Sequence, residues 1–221
     1  MERIILEFDH VTGIFGRFRL QDINFSLPAG YMMGLVGANG AGKTTCIKYL
    51  MQEKKRYDGL IRIDGVEHYT HGTAFRNQVG FVSEDNAFFE ERTGSQNVDL
   101  MRNFYDDFDR ELFGNAMEAM KVSAAKTYGK MSRGERMKFQ MAFAMAHHPL
   151  LYVLDEVTAG MDPVFRIDFF KILHEVIKKQ EAAVLMTSHI DSELKKQMDY
   201  IGILEQGKMT YFGENRDQLW E

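Results

Sequence analysis

The stretch GANGAGKT, residues 37–44, decides the fold because it matches the pattern G-x-x-x-x-G-K-[ST] in full. It follows the apolar run 31–36, which is typical of a buried strand, and it precedes a helical pattern that extends to about Met51. Glycines let such a loop fold back so that its amides point at phosphate groups. Lys43 adds a compact positive charge, and the Thr44 hydroxyl can ligate Mg²⁺. The stretch therefore predicts a site for a nucleoside triphosphate.

Composition and charge indicate an ordinary globular protein around this loop. The chain has 221 residues, 45% of them hydrophobic and 27% charged, which is enough to bury a substantial core. Its net charge is −5 and it has no long basic run, which argues against a nucleic-acid surface. The single cysteine, Cys46, excludes an internal disulfide and a cysteine-cluster zinc site. With no signal-peptide layout and no long apolar stretch, we expect a chain that does not itself cross a membrane.

Short apolar runs predict an α/β fold with a parallel core sheet. The runs at 150–154 and 183–187 are apolar almost throughout, as expected of strands that are covered on both faces. Helical patterns near 163–180 and 191–198 alternate with them. We expect a single domain, 1–221, built on this alternation.

Two further regions are predicted to be attached to the core sheet. Residues 4–8 and 20–27 have interleaved apolar positions and are predicted to be strands of an antiparallel β edge. The segment LIRI is predicted to be a short strand between two turns, because the Asp-Gly pairs at 58–59 and 64–65 flank it. From 85 to 148 the pattern turns helical and aromatic-rich, which predicts an inserted helical subdomain.

The stretch LLYVLDE, residues 150–156, places two acids at a strand end. Open parallel sheets bind ligands at the carboxyl ends of their strands, where Asp155 and Glu156 are expected. Asp155 is a candidate to hold Mg²⁺ through water, and Glu156 is a candidate to orient or deprotonate the attacking water. Two such acids alone would be ordinary solvated side chains. Beside residues 37–44, and with no kinase signature, they predict metal-assisted ATP hydrolysis.

The stretch KMSRGERMKF, residues 130–139, predicts the start of a helix. Ser132 followed by Glu135 is a capping box, and the apolar period after it continues until Pro149. A helix N-terminus attracts anions, although S-x-x-E alone is usually only a cap. Gly134 has poor helix propensity in the first turn, which suggests that a ligand approaches the backbone there.

Together these stretches resemble the ABC ATPases. MSRGE, residues 131–135, resembles the family's signature sequence, TAGMDP its D-loop, and TSH its switch histidine. Phe15 falls where the family places the aromatic residue that stacks on adenine, and the order matches from there to about Gly213. The resemblance implies a P-loop NTPase core with a parallel sheet, an antiparallel β subdomain and an inserted helical subdomain.

The resemblance also implies a head-to-tail pair of ATPase subunits, most simply a homodimer. The signature helix of each subunit would face the γ-phosphate held by its partner, with Asp162 at the interface. The residues implied to bind ATP are Phe15, Gly37, Asn39, Gly40, Gly42, Lys43, Thr44, Thr45, Ser132, Gly134, Glu135 and Asp162. The implied catalytic residues are Glu156 and His189, and the implied Mg²⁺ ligands are Thr44, Glu84 and Asp155.

The sequence departs from the family pattern at four of these motifs. Glu84 stands where the family has a glutamine that contacts Mg²⁺ and the transport partner, and a carboxylate can also ligate Mg²⁺. Glu135 replaces the glutamine of the signature, and Val157 replaces the usual proline after the catalytic acid. Phe15 replaces the commoner tyrosine. Glu84 is expected to affect coupling most directly.

Three kinds of ABC protein are compatible with these motifs. A soluble DNA-repair ATPase would need a long coiled coil between Lys43 and Asp155, which are only 112 positions apart (155 − 43). A tandem translation factor would need two ATPase domains, whereas this sequence has one set of the motifs. The stretches LDEVTAGMDPVFR and TSHIDSELKKQMDYIGIL and the acidic loop around Glu84 resemble bacterial ATPases of peptide, lantibiotic and multidrug exporters. The favoured interpretation is therefore the ATPase subunit of a bacterial exporter, bound to separate multi-span membrane subunits at the cytoplasmic face of the cell membrane. Phe88 and Phe89 are predicted to line a groove for a short helix of the membrane subunit, although most aromatics of this region are expected to be core.

Overall fold

A computed structural model describes residues 2–51, 57–67, 72–83, 88–158, 161, 163–188 and 196–216. Across these ranges ten strands join in one sheet, which confirms the α/β class predicted from the sequence. The strands are β1 (Ile4–Phe15), β2 (Phe18–Pro28), β3 (Met32–Val36), β4 (Tyr57–Ile63), β5 (Val66–Glu67), β6 (Val79–Ser83), β7 (Leu151–Asp155), β8 (Ala183–Ser188), β9 (Tyr200–Glu205) and β10 (Lys208–Glu214). The helices are α1 (Lys43–Met51), α2 (Gly72–Asn77), α3 (Gly94–Met101), α4 (Arg110–Ala119), α5 (Arg133–Ala146) and α6 (Pro163–Gln180).

The sheet has a parallel half and a largely antiparallel half. Its strand order is β5-β4-β1-β2-β10-β9-β3-β8-β7-β6. Strands β9, β3, β8, β7 and β6 run parallel, with Val36 opposite Ser188 and Asp155 opposite Thr187. Strands β2, β1, β4 and β5 pair antiparallel. Because parallel strands end at the same edge, the carboxyl ends of β3, β8 and β7 lie side by side.

The central strands are apolar because both of their faces are covered. Every residue of β3 is buried. Leu35 and Val153 belong to a hydrophobic cluster with residues of α1 and the antiparallel strands. Leu154 and Met186 belong to a second cluster with residues of α5 and α6. Neighbouring residues of one strand therefore enter opposite cores, as the alternation of a strand requires.

Helices α3, α4 and α5 follow one another between β6 and β7, and aromatic packing anchors the start of this segment. The ring of Phe88 lies 4.9 Å from that of Phe139 and 5.2 Å from that of Phe143, both on α5. By contrast, 51% of Phe89 and 73% of Phe104 is exposed. Phe88 is therefore a packing residue, and of the pair predicted to line a groove it is Phe89 that stands at the surface.

Local signals misplaced two segments. The pair 58–59 is not a turn but lies within β4, where Gly59 has a φ of +90° and a Cβ would stand 2.4 Å from the carbonyl oxygen of His10. Residues 196 and 197 form a turn rather than the end of a helix, residue 198 is not helical, and 191–195 lie outside the described residues. Within the described ranges, no helix has both the length and the apolar character needed to cross a bilayer.

Candidate functional site

The loop after β3 encloses the ammonium group of Lys43. Its Nζ donates to the carbonyl oxygens of Gly37, at 2.7 Å, and Ala38, at 3.3 Å, and only 5% of the residue is exposed. Gly37 is required because a Cβ there would stand 2.5 Å from the carbonyl oxygen of Leu204, and Gly42 because its φ is +120°. The loop therefore holds a positive charge close to its own backbone.

The tip of the loop and part of the first turn of α1 are open to solvent. Asn39, Gly40 and Thr44 are exposed, and Thr45 is half-buried. A cleft of about 930 Å³ borders the loop and is also lined by the turn between β9 and β10. The first amides of α1 lack partners within the helix and lie at the positive end of its dipole, so the exposed side of this loop can bind an anion such as phosphate.

The two predicted acids follow one another at the end of β7. The Thr187 hydroxyl on β8 donates to Asp155 Oδ1 at 2.5 Å and accepts a hydrogen from the backbone N–H of Glu156 at 3.0 Å. Glu156 has a φ of +53°, in the left-handed region that is uncommon for residues other than glycine. The chain thus leaves the sheet directly after Asp155, and both acids are partly exposed.

The loop at residues 37–44 and the two acids lie at the same edge of the sheet, where the parallel strands end. In the order β3-β8-β7, the end of β7 is two strand spacings, about 10 Å, from the end of β3. The Thr44 hydroxyl and the Asp155 carboxylate are hard oxygen donors, which Mg²⁺ prefers together with phosphate and water oxygens. These residues therefore fit a magnesium ion that is shared with a bound phosphate group.

The predicted capping box is present at the start of α5. The Ser132 hydroxyl accepts from the backbone N–H of Glu135 at 3.2 Å, and Glu135 Oε2 accepts from the backbone N–H of Ser132 at 2.7 Å. Lys126 Nζ donates to the same carboxylate at 2.7 Å, and these contacts hold the pKa of Glu135 below its ordinary value. A Cβ at Gly134 would have open space around it, so this end of the helix is accessible.

A buried hydrogen-bond chain, which the sequence analysis missed, joins α5 to the end of β6. Gln140 Oε1 accepts from the backbone N–H of Ser83 at 3.0 Å, and its Nε2 donates to the Tyr128 hydroxyl at 3.0 Å. A small cavity of about 270 Å³ lies beside this chain and is lined partly by Arg133 and Arg136. A polar residue at position 140 within an otherwise apolar helix face was the available signal.

Phe15 is the last residue of β1 and lies beside α1, the helix that follows the loop at residues 37–44. Its ring meets that of Tyr49 edge-on at a centroid distance of 6.5 Å, and Lys48 Nζ lies 5.1 Å from its centroid. Both contacts come from α1, so Phe15 is fixed relative to the helix that carries Lys43 and Thr44. Three other predicted site residues, Glu84, Asp162 and His189, lie outside the described residues.

Comparisons with known proteins agree with this arrangement. Residues 20–159 match the family described as ABC transporter. The chain is 30% identical over 191 residues to the ABC transporter ATP-binding protein YtrB of Bacillus subtilis, covering 86% of this chain and 65% of that protein. It is 27% identical over 208 residues to the bacitracin transport ATP-binding protein BcrA of Bacillus licheniformis, covering 93% of this chain and 68% of that protein. The chain thus spans about two thirds of the length of these relatives.

Two solved structures share the fold. The structure of an ATP binding subunit of an ABC transporter has a TM-score of 0.85 at 24% identity, covering 95% of this chain and 90% of that one. A bacterial Atm1-family ABC exporter with ATP bound also has a TM-score of 0.85 at 24% identity, covering 98% of this chain and 40% of that one.

Proposed function

Because the chain belongs to the ABC transporter family of ATP-binding proteins, we propose that it binds MgATP and hydrolyses it to power a bacterial exporter. The observation that carries this proposal is that the loop around Lys43 and the acids at the end of β7 lie at the same edge of the parallel sheet. The whole chain, 1–221, acts as one ATPase unit in this proposal, with 85–148 as its inserted helical subdomain.

The predicted site residues have distinct parts in the proposed reaction. The amides of residues 37–44 and the ammonium of Lys43 bind the β- and γ-phosphates, and Phe15 stacks on adenine. Thr44 and Asp155 hold Mg²⁺, with Glu84 as a further proposed ligand. When bound, Mg²⁺ neutralises charge that develops on the phosphate oxygens. Glu156 orients the attacking water and accepts its proton.

The accessible start of α5 supports a second ATPase subunit, most simply another copy of this chain. The capping contacts of Ser132 come from Glu135 of the same helix, and the space around Gly134 is open. The positive end of the helix dipole can therefore face a phosphate held by the partner. Asp162 and His189 are proposed to contribute at the interface and at the γ-phosphate, respectively. Two composite sites would then form per dimer.

Separate membrane subunits are the second class of proposed partner, at the cytoplasmic face of the cell membrane. Phe89 is 51% exposed and lies five residues after Glu84 in the sequence, so both are proposed to lie near a docked helix of the membrane chain. Export, with peptides or lipophilic compounds as cargo, is the direction favoured by the resemblance of residues 154–166 to exporter ATPases. Relatives in two species carry the name bacitracin transport ATP-binding protein, which supports a transport role.

Replacing Glu156 with Gln tests the proposed chemistry. The amide retains the shape of the side chain but cannot accept a proton, so turnover should fall by about 10²- to 10⁴-fold. ATP binding should persist, and size exclusion with MgATP should show a dimer that accumulates. The matched control is Glu118→Gln, an exposed position on α4 that should leave turnover unchanged. Near-normal hydrolysis by Glu156→Gln would refute the assignment.

A further inference from the structure

The hydroxyl of Thr187 is a buried polar group that contacts both acids of the candidate site. The residue is 0% exposed and lies near the end of β8, between β3 and β7. Its Oγ1 is 2.5 Å from Asp155 Oδ1 and 3.0 Å from the backbone nitrogen of Glu156. One side chain therefore contacts the proposed metal ligand and the backbone of the proposed base together.

The chemistry of a hydroxyl gives each of these contacts a direction. A hydroxyl has one hydrogen to donate and lone pairs that accept. Asp155 as a carboxylate can only accept, and the Glu156 N–H can only donate, so the hydrogen of Thr187 points to Asp155 and a lone pair points to Glu156. The contact fixes Oδ1 of Asp155, and so it sets where the second carboxylate oxygen can point.

The backbone of Glu156 makes the second contact consequential. Its φ of +53° is a conformation that a residue other than glycine retains only when its surroundings hold it. The bond from its N–H to Thr187 is one such restraint. Because the φ of Glu156 determines where its side chain leaves the strand end, the restraint also determines where the carboxylate can reach.

We propose that Thr187 is a positioning residue that aligns the Mg²⁺ ligand Asp155 and the base Glu156 with each other. The inference rests on the proposed ATP hydrolysis and adds a residue that touches neither nucleotide nor metal. The sequence motif that contains Thr187 drew attention only to His189, two residues later. A hydroxyl in the apolar strand AVLMTS, one strand away from LYVLD, is the signal for this role.

The test compares Thr187→Val, which keeps the shape and removes the hydroxyl, with Thr187→Ser, which keeps the hydroxyl. For the Val variant, the Mg²⁺ concentration at half-maximal ATPase activity should rise by about 10- to 100-fold, as for other residues that orient metal ligands. ATP affinity measured in EDTA should stay at the wild-type value. The Ser variant should restore the Mg²⁺ dependence, and Thr187→Ala, which cannot overpack the strand, should behave as Val does.

The matched control removes another buried hydroxyl from the same sheet. Tyr152→Phe loses a 2.8 Å bond from its hydroxyl to Gln180 and lies on β7 away from the carboxyl edge. It should lower the melting temperature without changing the Mg²⁺ dependence.

Two results would overturn the role of Thr187. One is a Val variant whose Mg²⁺ dependence matches that of Tyr152→Phe. The other is a Val variant that loses ATP binding in EDTA together with its stability, because that pattern reports a structural role alone. A wild-type chain with no Mg²⁺-dependent ATP hydrolysis would instead refute the proposed function itself.

Discussion

His147 should make the stability of this protein depend on pH. The residue follows α5, is 6% exposed and stacks on Tyr105 at a centroid distance of 4.0 Å. Its Nδ1 lies 3.2 Å from the carbonyl oxygen of Phe143, and its Nε2 lies 3.1 Å from that of Val79. Both carbonyls favour the protonated ring, but burial outweighs them and lowers the pKa of His147 to about 4.

The sign of the effect follows from the pKa values of the two states. The ordinary pKa of histidine is about 6.5, so between pH 6.5 and 4 the unfolded chain binds a proton that folded His147 does not. The contribution of His147 to the free energy of unfolding should therefore be constant above pH 6.5 and should fall as the pH drops from 6.5 to 4. The full difference corresponds to about 3 kcal/mol, and the steepest loss is about 1.4 kcal/mol per pH unit.

Urea unfolding of wild type and His147→Gln between pH 7.5 and 4.5 measures the pH-dependent contribution of His147 to the free energy of unfolding. The carboxylates titrate in both proteins, so the difference between the two curves isolates His147. The variant should be less stable at pH 7.5, because it loses the stacked ring, and its curve should be flatter toward low pH. His174→Gln, at an exposed position on α6, tests whether loss of any histidine has this effect. Parallel curves for wild type and His147→Gln would refute the reasoning.

Two further predictions concern the start of α5. Lys43→Ala and Ser132→Arg should each inactivate a homodimer, whereas a mixture of the two proteins should recover ATPase activity, because one site of the mixed dimer carries neither lesion. No recovery, with mixed dimers confirmed by labelled subunits, would contradict this. Glu135→Ala should lower the free energy of unfolding by about 1 kcal/mol through loss of the cap, and Glu135→Gln, which can still accept from Ser132, should lose less; equal losses in urea unfolding would argue against the cap.

Two features that depend only on neighbouring residues in the sequence were predicted correctly. The loop at 37–44 and the capping box at Ser132 each need only a few consecutive residues, and the structure contains both. The strands at the core of the sheet were also predicted, because coverage on both faces leaves a continuous apolar run.

The side-chain partners and the turn assignment that depend on pairing between distant segments were not predicted. The Asp-Gly pair at 58–59 has the local signature of a turn, but pairing of β4 with β1 keeps it inside a strand. The contact between Lys126 and Glu135 and the bonds of Gln140 and Thr187 likewise join segments whose proximity only the fold determines. Residue type indicated that these side chains could form hydrogen bonds, but it gave no partner.

The contacts between α5 and β6 show how the start of this helix is connected to the rest of the site. Near the middle of α5, Gln140 accepts from the backbone N–H of Ser83, the last residue of β6. Just beyond the end of α5, His147 lies within hydrogen-bond distance of the carbonyl oxygen of Val79, the first residue of β6. The helix is thus attached to both ends of one strand, and these buried bonds are costly to break. In the proposed dimer, α5 therefore connects the Ser132 end, which would face the partner's phosphate, to β6, after which Glu84 follows in the sequence.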